Sequence, residues 1–434
     1  MVTAQEANLA KFRTIEADIQ AGRLQEAAAA LNALGAAAPR DPRVYLTGAM
    51  LARAAGNPQY EIVSLQRALE LAPQLPRVHA ALAKALAREG RHAEAVAAAD
   101  RAVELAPDDL PTLEVAVAIA RAAGDDATSL RHLHRARALR PADRRIGLAL
   151  AAALTRQGRY AEAEDPWRSA LAGDPDDAYA LMWLGVCLVE LDRKDEARAV
   201  LEQAERQLPD NPTLKFYLAI ARGETPRSQP GWMAQAIFDE VAGRFDVSLV
   251  GQLKYRVPRR VAEILLARDA GRNLSVLDLG CGTGLLGVYL GRVAGPFVGV
   301  DLSARMIEEA GRHGIYTELR QGDLQEELRR TAPDTYDCVT ANDVFVYVGD
   351  VSTVIPAAYR ILRKGGVLIF SCELAEESEG ALVLRPSRRY AHSRRSIEEL
   401  CRDAGFARCV VEPFDLRLEA NVPVAGFIAV AEKA

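Results

Sequence analysis

A period of 34 residues runs through the first half of the chain and constrains its fold more than any other feature. Proline keeps this interval without a slip at Pro39, Pro73, Pro107, Pro141, Pro175 and Pro209. Glycine keeps it too, and aspartate takes the sixth place, at Gly22, Gly56, Gly90, Gly124, Gly158 and Asp192. Glycine turns the chain between two helices, and proline follows the end of the second helix. The period therefore predicts a helical solenoid of about six helix pairs over residues 8–211.

This period resembles the tetratricopeptide repeat, a unit of two antiparallel helices. Small residues repeat at the same interval where helices would pack closely, at Ala68, Ala102, Ala136, Ala170 and Ala204, with Leu34 in the first unit. The resemblance implies a surface that binds a protein or peptide, or that pairs two chains. One more helical stretch at 214–220 is expected to cap the last repeat, so we predict a repeat domain over residues 1–221.

Residues 222–230 have the polar, glycine and proline composition of a linker. A second domain is expected over residues 231–434. Half of the residues are apolar and 26% are charged, so both domains can bury a core.

Residues 274–284 combine a short apolar run with a glycine-rich turn, Leu-Ser-Val-Leu-Asp-Leu-Gly-Cys-Gly-Thr-Gly. The run suits a buried strand, and Gly280, Gly282 and Gly284 allow sharp turns and a close approach of the backbone to a ligand. A helical pattern follows immediately. A strand, a glycine turn and a helix N-terminus together predict a nucleotide-binding site.

Two kinds of nucleotide compete for this turn. The glycines from Gly282 onward also match the dinucleotide pattern Gly-x-Gly-x-x-Gly, which alone is a weak signal. A dinucleotide places its pyrophosphate at the helix N-terminus, where the nearby Asp278 would repel it. S-adenosylmethionine carries a sulfonium and an α-amino group, which a carboxylate suits. Asp301, at the end of the next strand-like run, could accept ribose hydroxyls in either case. The sequence favours S-adenosylmethionine.

Residues 231–434 resemble the class I S-adenosylmethionine-dependent methyltransferases. Four more segments are similar to the motifs of that family, at 299–307, 322–324, 336–343 and 363–370. The resemblance implies a Rossmann-like, doubly wound sheet of seven strands with an antiparallel last strand. It also implies that the donor contacts Tyr255, Asp278, Gly280, Cys281, Gly282, Gly284, Asp301, Leu302, Met306, Asp323, Leu324 and Asn342.

The segment 231–260, before the first strand of this domain, has helical periodicity with aromatic anchors that include Phe238 and Phe245. It either packs against the sheet or covers the bound donor as a lid. Its pattern also resembles predicted methyltransferases that are fused to tetratricopeptide repeats. Tyr255 and Arg256 are expected to contact the donor's carboxylate or the substrate.

The sequence narrows the class of methyl acceptor. No Asn-Pro-Pro-Tyr or Asp-Pro-Pro-Tyr follows the fourth strand, where the sequence reads Ala-Asn-Asp-Val-Phe. The resemblance therefore points away from adenine-N6 and glutamine-amide methyltransferases and towards those that act on small molecules and on some proteins. With 54 basic and 59 acidic residues, the chain has no positive field for nucleic acid.

Two polar stretches supply candidates for the acceptor side. His392, Tyr347 and Tyr390 are the candidate catalytic residues, because each can carry a proton. Candidate substrate contacts are Arg256, Asp343, Phe345, Arg388 and Arg389. The arginines of the loop before His392 either form a solvated surface or recognise a carboxylate or phosphate.

The remaining expectations are negative or general. The six cysteines lack Cys-x-x-Cys spacing, so we expect reduced thiols and no metal. No apolar run has the length of a membrane span, and the chain is expected to be cytoplasmic.

The function predicted from sequence is methyl transfer to a protein or peptide presented by the repeats. The alternatives are a small-molecule methyltransferase whose repeats dimerise the chain, and a scaffold that binds the donor without turnover.

Overall fold

The computed structural model describes residues 4–241, 254–419 and 421–434. The chain divides into two compact units, Met1–Gln207 and Leu208–Ala434. Among the described residues, no helix combines the length and the apolar character needed to cross a membrane.

The first unit consists of consecutive helices that pack as antiparallel neighbours. In its described part they are α1 (Ala4–Gln20), α2 (Leu24–Ala37), α3 (Pro42–Ala54), α4 (Pro58–Leu71), α5 (Pro76–Arg88), α6 (His92–Leu105), α7 (Leu110–Ala122), α8 (Asp126–Leu139), α9 (Arg144–Arg156), α10 (Tyr160–Gly173), α11 (Ala178–Glu190) and α12 (Lys194–Glu205). They make six helix pairs, as the 34-residue period predicts.

The periodic residues occupy the positions that their chemistry suits. Each periodic glycine lies in the turn inside a helix pair, with φ between 68° and 76°, and Asp192 adopts φ 58° at the equivalent place. Only glycine adopts this left-handed conformation at little cost, with Asn and Asp next. The periodic alanines are buried between the helices; Ala68 and Ala204, for example, are 0% exposed. The repeats are therefore local structures that the sequence dictates unit by unit.

The second unit contains a sheet with helices on both sides. Its helices are α13 (Pro212–Ala221), α14 (Gly231–Val241), α15 (Val257–Arg268), α16 (Leu285–Leu290), α17 (Ala304–Arg312), α18 (Leu324–Arg330), α19 (Phe345–Val348), α20 (Val354–Ile361) and α21 (Arg394–Asp403). Its strands are β1 (Val276–Leu279), β2 (Phe297–Asp301), β3 (Glu318–Gln321), β4 (Tyr336–Ala341), β5 (Leu362–Leu374), β6 (Leu382–Leu384), β7 (Tyr390–His392), β8 (Arg408–Glu419) and β9 (Val422–Glu432). The helix at 214–220, expected as the cap of the repeats, belongs to this unit as part of α13.

The sheet is doubly wound, as the resemblance implies. Strands β3, β2, β1, β4 and β5 lie side by side in that order and are parallel. Strand β9 pairs antiparallel with β5, and β8 pairs antiparallel with β9. These are the seven expected strands with the expected antiparallel last strand. The described residues add two short strands, because β6 and β7 form a hairpin at the end of β5.

Burial explains why the central strands are apolar throughout. Every residue of β1 and β2 is buried, which is typical of parallel strands covered on both faces. The order of the strands reverses at β1, between β2 and β4. In an open doubly wound sheet, ligands bind beyond the carboxyl ends of the strands at such a switch point.

Candidate active site

A cavity of about 350 Å³ lies at this switch point. Its walls come from the residues that follow β1, β2, β3 and β4, together with α14 and the chain just before α14. A volume of this order accommodates a ligand of nucleoside size. One half of the cavity is formed by the glycine turn and its neighbours, and we call it the donor half. The half formed by residues after β4 and from β8 is called the acceptor half.

The glycine turn has the backbone that its sequence requires. Gly280, Gly282 and Gly284 have φ of 65°, 54° and 86°. A side chain on Gly280 would collide with the side chain of Val344. The amides of Gly280 and the next residue both donate to the carbonyl of Val300, at 2.7 and 3.0 Å. Bare backbone therefore lines the cavity in one fixed conformation.

Asp278, at the end of β1, is 1% exposed and is held by three hydrogen-bond donors. The Tyr316 hydroxyl donates to its Oδ2 at 2.7 Å. The Thr340 hydroxyl at 2.7 Å and the Asn342 amide at 3.4 Å donate to its Oδ1. Burial raises the pKa of Asp278 to about 6, although these hydrogen bonds lower it. A cation in the cavity would favour the ionised form.

Asp301, at the end of β2, joins two loops of the donor half. Its Oδ2 accepts the Gly282 amide and its Oδ1 accepts the Ser303 amide, both at 2.9 Å. Ser303 in turn caps α17 by accepting the amide of Met306. The carboxylate is therefore fixed at the wall of the cavity.

Asp323 caps α18 with one carboxylate oxygen. Its Oδ1 accepts the amides of Gln325 and Glu326 at 2.8 and 3.1 Å. Asp323 and the next residue, Leu324, both line the cavity. Three strand ends thus each contribute one carboxylate to the donor half.

The acceptor half contains a buried network of charges centred on Arg417. The side chain of Arg417 is 2% exposed, and its Nη1 donates to both oxygens of Asp343 at 3.0 and 2.9 Å. It also pairs with Glu373 and Glu419. A second arginine, Arg389, pairs with Glu419 as well.

A bulge in β8 places Arg417 in the wall of the cavity. The register between β8 and β9 shifts between Asp415 and Arg417. Bulges redirect side chains and are common beside active sites. Sequence analysis missed Arg417, because it lies far from every motif; the only available signal was its charge within the run Phe-Asp-Leu-Arg-Leu-Glu.

Most of the residues expected to bind the donor line the cavity. They are Tyr255, Asp278, Gly280, Cys281, Gly282, Asp301, Leu302, Asp323, Leu324 and Asn342. Gly284 and Met306 do not line it. Gly284 begins α16, and Met306 is fully buried in α17.

Of the three expected catalytic residues, only one lines the described cavity. Tyr347 lines the cavity, and its hydroxyl accepts Arg389 Nε at 3.2 Å. His392 and Tyr390 do not line it, because the β6–β7 hairpin buries both side chains. The Nε2 of His392 lies 2.7 Å from the carbonyl oxygen of Gly349, and burial lowers the pKa of this histidine. Neither His392 nor Tyr390 is therefore placed to exchange a proton with a ligand in this cavity.

Of the five expected substrate contacts, two line the described cavity and three do not. Asp343 and Arg389 line the cavity. Arg256 is exposed at the N-terminus of α15, and Phe345 is buried in the core against the ring of Phe370. Arg388, with its guanidinium over the ring of Tyr217 at 5.9 Å, is also absent from the lining. These last three residues are not among the described residues that line the cavity.

The segment expected as a lid contributes to the cavity, and so does the expected linker. In α14, Ala234 and Phe238 line the cavity, and the ring of Phe238 meets Tyr347 edge-on at 5.2 Å. Residues 228–230 of the linker line it too, and the carbonyl of Arg227 accepts the amide of Asp350 at 2.7 Å. Phe245 and the rest of residues 242–253 lie outside the described part of the chain.

Comparisons with known proteins match both kinds of domain that the sequence predicts. Residues 249–411 match the family described as methyltransferase domain, and residues 76–109 and 148–212 match tetratricopeptide repeat families. A ubiquinone biosynthesis O-methyltransferase of Proteus mirabilis (strain HI4320) is 30% identical over 140 residues, covering 31% of this chain and 57% of that protein. The same enzyme of Serratia proteamaculans (strain 568) is 30% identical over 142 residues, with shares of 31% and 58%.

The chain thus spans a little over half the length of these curated relatives. A solved structure from Thermotoga maritima, described as an S-adenosylmethionine-dependent methyltransferase and possible histamine N-methyltransferase, is 22% identical. That match covers 46% of this chain and 99% of the other, with a TM-score of 0.36. The family matches confirm the predicted domain classes: this chain carries an S-adenosylmethionine-dependent methyltransferase domain together with tetratricopeptide repeats.

Proposed function

We propose that the whole protein transfers the methyl group of S-adenosylmethionine to a small-molecule acceptor. The observation that carries the proposal is the set of three carboxylates, Asp278, Asp301 and Asp323, around a bare glycine turn. The donor presents a sulfonium, an ammonium and ribose hydroxyls, which suit carboxylates. A dinucleotide presents a pyrophosphate at the glycine turn, which the nearby Asp278 carboxylate would repel.

The positions of the basic side chains support the same choice of donor. Arg389 and Arg417 are the arginines of the cavity lining, and both belong to the acceptor half. Each is paired with carboxylates there. Within the described residues, the donor half therefore offers backbone amides and acids but no guanidinium to a phosphate.

Methyl transfer asks the chain mainly for alignment. When bound, the donor supplies a methyl group on a good leaving sulfur. The residues of this chain then have to hold donor and acceptor in line, exclude water and accept a proton if the acceptor carries one. Tyr347 and Asp343 line the end of the cavity that follows β4, and their polar side chains are placed to contact the methyl acceptor. Burial raises the pKa of Tyr347, so its hydroxyl stays protonated and can donate a hydrogen bond to a ligand.

The charge balance of the acceptor half bears on the acceptor. Two guanidinium groups, on Arg389 and Arg417, face three carboxylates, on Asp343, Glu373 and Glu419. The arginines are already neutralised, so they leave little positive field for a carboxylate or phosphate on the substrate. This balance supports an acceptor that is neutral or cationic near its reacting atom.

Two observations support different acceptor classes. The curated relatives are named as O-methyltransferases of ubiquinone biosynthesis, which supports a small molecule with a hydroxyl group. The repeats support a second candidate, a protein or peptide acceptor held by the first unit, because tetratricopeptide repeats generally bind proteins. Under the first candidate, the repeats would bind a partner or pair two chains without presenting the substrate.

Isotope transfer separates these candidates. The full chain is incubated with donor labelled in the methyl group and with an extract of the source organism, which is then divided by size. Label in small molecules that depends on Asp301 supports the small-molecule proposal, with Asp301→Ala as the control. Label in a protein band would move the second candidate to first place. Donor binding without transfer to either fraction would contradict an enzymatic function.

A further inference from the structure

Tyr316 contacts the donor half of the cavity from behind, although it belongs to none of the motifs. It lies between α17 and β3, and its hydroxyl donates to Asp278 Oδ2 at 2.7 Å. Its ring packs against Phe297 in β2, with 4.3 Å between the ring centroids. The side chain thus joins the end of β1 to the start of β2.

The ring of Tyr316 also lies against three glycines, close to where their side chains would be. A Cβ on Gly287 would lie 2.8 Å from this ring, one on Gly299 3.0 Å, and one on Gly284 3.1 Å. The first distance is shorter than real side chains show, and the other two are tighter than most. The ring therefore fills space beside these glycines, and at Gly299 the side chains of Leu319 and Cys281 come closer still. The turn and the helix that follows it rest on this ring.

We propose that Tyr316 is a positioning residue for the methyl donor, whose ring supports the glycine turn and whose hydroxyl fixes the Asp278 carboxylate. The inference rests on the proposed function, because it assumes that Asp278 faces a cationic part of the donor. Tyr316 does not line the cavity itself. It acts through Asp278.

The hydrogen bonds around Asp278 leave one direction for a ligand. A carboxylate has about four lone-pair sites. Thr340 and Asn342 occupy Oδ1, and Tyr316 occupies one site of Oδ2. The remaining site of Oδ2 can accept a hydrogen bond from an ammonium or hydroxyl group.

The titratable groups around Asp278 come from four other parts of the unit. Asp301 at the end of β2 raises the pKa of Asp278, after the larger effect of burial. Burial raises the pKa of the Cys281 and Cys338 thiols and of the Tyr255 and Tyr316 hydroxyls, so these groups are uncharged at neutral pH. Among these neighbours, Asp301 is therefore the charged one, and the Tyr316 hydroxyl is the first of the hydrogen-bond donors that favour the ionised Asp278.

The variant Tyr316→Phe tests the proposal because it keeps the ring and removes the hydroxyl. Without that hydrogen bond, Asp278 ionises at a higher pH, and fewer molecules carry the carboxylate near pH 6.5. We expect the affinity for S-adenosylhomocysteine, measured by calorimetry, to fall about tenfold at pH 6.5. At pH 8.5, where Asp278 is ionised in both proteins, the loss should be about threefold or less.

Tyr289→Phe is the matched control, since Tyr289 lies in α16 just after the glycine turn and no described contact joins its hydroxyl to Asp278. It should bind like the wild type at every pH. A loss in Tyr316→Phe that is the same at all pH values would show that the hydroxyl does not act through the ionisation of Asp278, and an unchanged affinity would show that the hydroxyl has no role in binding; either result would overturn the proposal. If the wild type itself bound no S-adenosylhomocysteine, the proposed function would fail and the inference with it.

Discussion

Arg417 Nη1 contacts both carboxylate oxygens of Asp343, at 3.0 and 2.9 Å, and so joins β8 to the loop after β4 at the wall of the cavity. Asp343 itself has φ 59°, a left-handed conformation that is uncommon for residues other than glycine, although aspartate adopts it more readily than most. The ion pair restrains the Asp343 side chain, and the Asp343 amide donates to the Ser371 hydroxyl at 2.8 Å. Strained residues that neighbours hold firmly are common at functional sites.

The first prediction concerns the loss of this arginine. Arg417→Met would leave Asp343, Glu373 and Glu419 without their shared partner, and two of these carboxylates are largely buried. Removing one member of a buried charge network destabilises a protein by about 3–5 kcal/mol. Chemical denaturation should show a loss of this size. Arg408→Met, an exposed position on the same strand, should have little effect, and equal stability of both variants would contradict the account.

The second prediction uses the raised pKa of Asp278. Its pKa rises from 3.8 to about 6 in the folded protein. The folded state therefore binds a proton more tightly than the unfolded state, and stability falls as the pH rises from about 4 to about 6. This difference corresponds to ~3 kcal/mol at neutral pH.

Asp278→Asn cannot ionise, so it should escape this loss. We expect the ligand-free variant to melt at a higher temperature than the wild type at pH 7.5, and at a similar temperature at pH 4. Its affinity for the donor should nevertheless fall. If Asp278→Asn were instead less stable than the wild type by the same amount at both pH values, the carboxylate would stabilise the fold, which would contradict the prediction.

The third prediction tests the repeats. Gly90 has φ 72°, and no atom lies within 4 Å of a Cβ built on it. Gly90→Ala therefore meets no steric obstacle, and only the left-handed backbone opposes it. We expect a loss of about 1 kcal/mol in the stability of the repeats. Gly22→Ala, at the same place in the first repeat, should behave alike; a loss of several kcal/mol at either site would contradict the described turn.

The repeats and the donor half were predictable because their signals are local. Each periodic glycine fits the φ of its own turn, and Asp278 lies just before the first glycine of the donor half. Asp301 is 19 residues from Gly282, but it ends the strand-like run that comes next in the sequence. Neighbours in sequence decide such structures, so a motif suffices to find them.

The acceptor half was less predictable because its contacts are long-range. Arg417 meets Asp343 across 74 positions. Tyr316 supports the donor half and escaped the sequence analysis for the same reason, because it meets Asp278 across 38 positions. His392 illustrates the opposite error, because the sequence predicted it at the site and the structure does not place it there. Its polar, arginine-rich surroundings in sequence suggest an exposed loop, but the hairpin of β6 and β7 buries it against Gly349. Sequence shows the chemistry of a residue and not which strand will cover it.

Binding of labelled S-adenosylmethionine to the full chain tests the central claim most directly. We predict one bound molecule per chain, displaced by S-adenosylhomocysteine and not by NAD. Asp301→Ala, checked by its melting curve, should bind at least about tenfold more weakly, because it loses the carboxylate expected to accept two ribose hydroxyls. Displacement by NAD, or equal binding by a folded Asp301→Ala protein, would contradict the account.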